Sequence, residues 1–120
     1  MAHWQAVLGA LAGACSGTPV DLVHVHSTHD GTVPIGGQAL PGRLFRQAGI
    51  RRDWAVWLRG NACPALPSST FTQVGRTCLL WSACAWPGQL QFCTHDSGHE
   101  IHESDLEVLW SFVEQRAASR

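Results

Sequence analysis

Residues 26–34, His26-Ser27-Thr28-His29-Asp30-Gly31-Thr32-Val33-Pro34, gather side chains that could do chemistry. An apolar run from Val20 to Val25 feeds into them, and glycines and a proline follow. An acid is therefore set down at the end of an expected strand, in a loop carried by a rigid sheet, where catalytic groups tend to sit. A second histidine-bearing loop, His95 to Glu103, comes late in the chain and contains His99. A carboxylate that fixes the tautomer of a histidine and stabilises its imidazolium is the acid–base half of an acyl-transfer triad. Taken singly, each residue also has a plainer role. Asp30-Gly31 is a common turn pair, and His99 suits a solvated loop.

The elements around these loops can be read from periodicity. Val20 to Thr28 reads as a near-continuous apolar strand, of the kind expected where both faces of a parallel sheet are covered. Residues 31–42 read as loop. Ile50 to Arg59 reads as a helix, with Ile50, Trp54, Trp57 and Leu58 on one face, Arg51, Arg52 and Arg59 off it, and Gly60-Asn61 as the stop. The proline- and serine-rich 64–70 is a connector. Thr72 to Trp81 and Gln89 to Thr94 read as strands joined through a turn at Ala85-Trp86-Pro87-Gly88. The last helix is expected to open on a capping box, Ser104-Asp105-Leu106-Glu107, and to bury Leu106, Leu109, Trp110 and Val113.

Composition narrows the class. A chain of 120 residues, 45% hydrophobic and 14% charged, is one domain at most. Its formal net charge of −1 gives no reason to expect nucleic acid or an anionic membrane as partner. No apolar stretch reaches the ~20 residues of a spanning helix. Ala6 to Ala14 is small and apolar and ends at Cys15, but no Lys or Arg precedes it, so it reads as a small-residue lead-in rather than a signal peptide. Five cysteines, four of them at 63, 78, 84 and 93, favour an oxidising compartment with two disulfides and Cys15 left over. The absence of a Cys-x-x-Cys pair argues against a zinc ribbon or a thioredoxin-like motif.

Residues 26–34 resemble the acid-bearing strand end of α/β-hydrolase esterases of the polyhydroxybutyrate depolymerase and feruloyl esterase type, whose usual form is HGTxDxxVP. His26, Thr28, Asp30, Val33 and Pro34 match it, and Ser27 stands where the pattern has glycine. Trp57 to Cys63 is similar to that family's tryptophan and Asn-Gly-Cys helix end, with Ala62 in place of the glycine. Trp81-Ser82-Ala83-Cys84 resembles its second cysteine motif, and Ser97-Gly98-His99 its catalytic histidine loop. The likeness covers about residues 19–115. It implies an α/β fold, the C-terminal portion of a hydrolase sheet with about three strands and two main helices. It also implies Asp30 and His99 as catalytic acid and base, a serine acyl-enzyme acting on carboxylic esters, no cofactor, and an extracellular or periplasmic parent protein. Relatives usually carry a Trp-Pro pair after the histidine, where this chain has Ile101-His102. Polyester, feruloyl ester and small aliphatic ester all stay open as substrates.

In this fold the chain order is nucleophile, acid, histidine, with the nucleophile in a Gly-x-Ser-x-Gly elbow. No such string occurs here. The nearest, Gly13-Ala14-Cys15-Ser16-Gly17, lies only 15 residues before Asp30, too few for an elbow helix and a further crossover strand. Cys15 is therefore rejected as nucleophile, and the chain is expected to supply acid and base alone, with a missing N-terminal half or another copy of itself as partner. Two other classes compete. His24, His26 and His29-Asp30 have some likeness to the H-x-H-x-D-H zinc motif of metallo-hydrolases, with His95, His99 and His102 as further donors. A catalytically inactive binding module could use some of the six tryptophans as an aromatic platform, although Trp54, Trp57 and Trp110 are expected in the core.

Four clustered cysteines allow three pairings, among which sequence alone does not choose. The family resemblance favours Cys63–Cys84. For the rest, a hairpin that pairs Trp81 with Leu90 would put Cys78 opposite Cys93, about 4.5–5.5 Å apart at Cα.

Overall fold

A computed structural model describes residues 19–39 and 46–119. Cys15 and the Ala6–Ala14 stretch lie outside the described residues. The elements are β1 (Leu22–Ser27), β2 (Gln38–Ala39), β3 (Arg46–Gln47), α1 (Ile50–Gly60), β4 (Ser69–Gln73), β5 (Arg76–Trp81), β6 (Leu90–His95) and α2 (Glu103–Ala118). Four strands form one mixed sheet in the order β1-β6-β5-β4, and β2 and β3 make a separate antiparallel ribbon. β1 and β6 run parallel, in register from Leu22↔Leu90 to Ser27↔His95. Both strands therefore end at the same edge of the sheet.

Alternation along the strands assigns the two faces. Leu90 and Phe92 of β6, with Leu22 of β1, join Trp54, Trp57, Leu58 and Trp81 in the cluster beneath α1. The ring of His24 also points to this side, 6.1 Å from Trp54 and 5.4 Å from Phe92. On the other face Cys78 and Cys93 are fully buried with Val108 of α2, and Val25 packs against them. β1 is thus covered by a helix on each face, as its apolar sequence requires. Asn61, at the end of α1, pins the entry to β1. Its Oδ1 accepts from the Val20 N–H (3.0 Å) and its Nδ2 donates to the Val20 carbonyl (2.6 Å). Gly88 sits against the same carbonyl at φ +131°, and a Cβ there would lie 2.6 Å from it.

Both disulfides expected from the sequence are formed, Cys63–Cys84 and Cys78–Cys93. The second follows from the β5–β6 register, which pairs Trp81 with Leu90 and Cys78 with Cys93. Its Cα atoms are 4.0 Å apart, closer than the expected range. Two cross-links suit an oxidising environment. Among the described residues no helix is long and apolar enough to cross a membrane.

Three expectations need correction. The Thr72–Trp81 segment is two strands, β4 and β5, because Gln73 pairs with Arg76 around a two-residue turn at Val74-Gly75. Both turn residues have positive φ, 44° and 79°, the primed geometry that fits strand twist, and the apolar Val74 masks it in the sequence. The sheet has four strands rather than three. In α2 the cap is His102 and the third helical residue is Asp105, not Ser104 and Glu107. Asp105 is drawn inward by the Arg76 guanidinium, 2.7 Å away. The helix is rolled accordingly, so that Val108 and Phe112 are buried while Leu106, Trp110 and Val113 face outward.

Candidate active site

Asp30 lies three residues beyond β1 and His99 four residues beyond β6, so the parallel pairing brings their loops together. His99 Nδ1 is 2.7 Å from Asp30 Oδ2. The other carboxylate oxygen, Oδ1, accepts from the backbone N–H groups of Thr32 (2.9 Å) and Val33 (2.7 Å). Burial opposes ionisation of Asp30. The Val33 N–H, the His99 ring and the Thr32 N–H outweigh it and hold the carboxyl below its ordinary range. Asp30 is therefore the anion, and the shared proton belongs to His99 Nδ1. The lone pair is left on Nε2, on an imidazole whose side chain is 52% exposed beside a carboxylate that is 5% exposed. A buried anion orients an accessible base.

A chain of histidines holds the acid loop from behind. His26 Nε2 lies 2.7 Å from the Val33 carbonyl oxygen, which can only accept, so Nε2 carries the proton. His26 Nδ1 pairs with His24 Nε2, 3.2 Å away. The two rings link β1 to Val33, whose own N–H binds Asp30. Desolvation, with the neighbouring His26, lowers the pKa of His24 from 6.5 to about 4.

The histidine loop is anchored by a second polar cluster. Asp105 accepts from Arg76 Nε (2.7 Å) and from the His102 N–H (2.9 Å), and His95 Nε2 stands 3.7 Å from it. Burial works against its charge. The Arg76 hydrogen bond, the His102 N–H and the nearby charges prevail and keep its pKa low. Strand β5, the end of β6 and the start of α2 are thus tied below residues 96–101. Ser27, buried at the end of β1, bridges the two loops. Its Oγ accepts from the His29 N–H (3.0 Å) and from the Gly98 N–H (2.9 Å).

Of the residues singled out from sequence, Asp30 and His99 are brought together and the four cysteines are paired. The zinc alternative does not assemble. His24 and His26 bond to each other, His26 to Val33 and His99 to Asp30. Among the described residues no group of three or more His, Cys, Asp or Glu side chains is arranged to hold a metal ion. The aromatic platform is also not a cluster: Trp54 and Trp81 are buried, whereas Trp86 and, against expectation, Trp110 are exposed. Sequence reasoning missed the supporting roles of Arg76 and Asp105, because the cap was placed two residues too late. For Ser27 the signal was present, as the departure from the glycine of the pattern. A cleft lined by Leu22, Val23, Phe112, Val113 and Arg116 opens at the opposite end of β1 and takes no part in this site.

In comparisons with known proteins, no family model matches the chain and no curated protein matches it significantly.

Proposed function

We propose that this chain carries the acid and the general base of a serine carboxylic-ester hydrolase similar to polyhydroxybutyrate depolymerases and feruloyl esterases, with the nucleophile supplied by polypeptide outside these 120 residues. The observation that supports the reading most is the 2.7 Å bond between His99 Nδ1 and an Asp30 carboxylate fixed by two backbone N–H groups. In acyl transfer, Nε2 of His99 takes the serine proton as the hydroxyl attacks the ester carbonyl and returns it to the leaving alkoxide. Asp30 keeps the ring in the required tautomer and offsets the imidazolium charge. The exposure of His99 and the burial of Asp30 suit those two tasks.

Asp30 and His99 can move a proton, but neither attacks a carbonyl in this scheme. The 120-residue chain is therefore expected to leave p-nitrophenyl acetate intact. A longer product, extended through the coding sequence upstream of Met1, is expected to contain a Gly-x-Ser-x-Gly elbow and to be labelled by a fluorophosphonate probe. Labelling should drop by at least about a hundredfold in His99→Ala, the scale of a lost general base. Turnover by the 120-residue chain that disappears in His99→Ala or Cys15→Ala overturns the proposal, as does an upstream sequence without an elbow.

A further inference from the structure

We infer that the Ser27 hydroxyl is the positioning group that aligns the Asp30 and His99 loops, one oxygen holding the amide that precedes each member of the pair. The inference deepens the acid–base reading above and rests on it. Its basis is a symmetry of connection. Ser27 Oγ receives the N–H of His29, adjacent to Asp30, at 3.0 Å, and the N–H of Gly98, adjacent to His99, at 2.9 Å. A hydroxyl oxygen has two acceptor sites, and both are spent on these loops. The backbone alone links the strand ends only further back, where the Thr28 N–H donates to the His95 carbonyl at 2.7 Å. Beyond that bond, residues 96–99 have Ser27 as their tie to β1 before the Asp30–His99 contact itself.

Gly98 fits the same account. It has φ +98° and open space where a Cβ would stand. Glycine is needed there for the left-handed backbone by which the chain leaves the Ser27-bound amide toward His99, not for room. Ser27 is 3% exposed, so water does not readily replace its oxygen. With glycine at position 27, as in the esterase pattern, both amides would lose this acceptor. In this chain a side-chain oxygen holds both loops.

The test is NMR of the full 120-residue chain, reading the downfield imidazole N–H proton of His99 that its bond to Asp30 protects. The wild-type protein is expected to show it. Ser27→Ala should speed its exchange about tenfold, the weight of one to two hydrogen bonds, while amides of the β5–β6 hairpin keep their protection. Ser27→Thr, which keeps the oxygen, should retain the slow proton. An Ala variant with the wild-type exchange rate, or a Thr variant as fast as Ala, overturns the role of Ser27 and leaves the acid–base reading standing. Absence of the proton from wild type removes the pair itself, and both readings fall together.

Discussion

Two buried titratable side chains that take no part in the Asp30–His99 pair set opposite pH dependences. His24 binds its proton at about 4 when folded and at 6.5 when free. The unfolded chain therefore holds more protons between these values, and stability is lost as pH falls from 6.5 toward 4. Asp53 has the reverse sign. It is 1% exposed, and neither carboxylate oxygen has a hydrogen-bond partner. Burial raises its pKa from 3.8 to about 6, against a smaller opposing effect of Arg52, so stability is lost as pH rises through that window. Each contributes on the order of 2–3 kcal/mol, and the two nearly cancel between pH 4 and 6. Asp53→Asn should break the balance, raising the unfolding free energy at pH 7 by about 2 kcal/mol and leaving a profile that falls from pH 6.5 to 4. His24→Gln should produce the opposite tilt. Chemical denaturation at several pH values reads both, and a flat profile in Asp53→Asn would refute the compensation. Asp30 and Asp105, both held low, add a loss of stability at still lower pH.

At the scale of elements, two turns carry residues that their backbone disfavours. Ala62 sits at φ +52° after α1 and Val74 at φ +44° in the β4–β5 turn. Left-handed backbone costs a residue with a Cβ roughly 1–2 kcal/mol, and asparagine and glycine tolerate it best. Ala62→Gly is expected to stabilise by about 0.5–1 kcal/mol and Val74→Asn by about 1 kcal/mol, read as higher melting temperatures. A lower melting temperature in both variants would contradict the turn geometry. Val74 also marks the limit of reading the sequence. Strand β1 was legible as a near-continuous apolar run, and β6 because Pro87-Gly88 punctuates the chain between β5 and β6. The β4–β5 turn was not, since a β-branched apolar residue extends the strand pattern across it. The approach of Asp30 and His99 was expected from the family resemblance, since each residue taken singly also suits a turn or a solvated loop. The Arg76–Asp105 anchor was not, because a contact 29 residues apart leaves no local trace, and it decides which face of α2 turns inward.

For the molecule as a whole, that rolled helix has a cost in solubility. Leu106, Trp110 and Val113 are 56, 63 and 50% exposed, and their i, i+4, i+7 spacing lines them up on one side of α2. A contiguous apolar stripe of this kind promotes association. The chain is expected to sediment as a concentration-dependent mixture, and Trp110→Glu to shift it toward monomer. A monodisperse wild-type monomer at all concentrations would disprove this. The parallel pairing of β1 with β6 has a different consequence, in the time course of folding. The β4–β5–β6 meander closes short loops, whereas β1 must find β6 across most of the chain, and distant pairings form late because their loop entropy is lost first. Asp30 and His99 are 69 residues apart in sequence, and the β1–β6 pairing brings their loops together. The acid and the base therefore meet at the end of folding, and a chain halted at the meander would hold the histidine strand without a carboxylate to orient its ring.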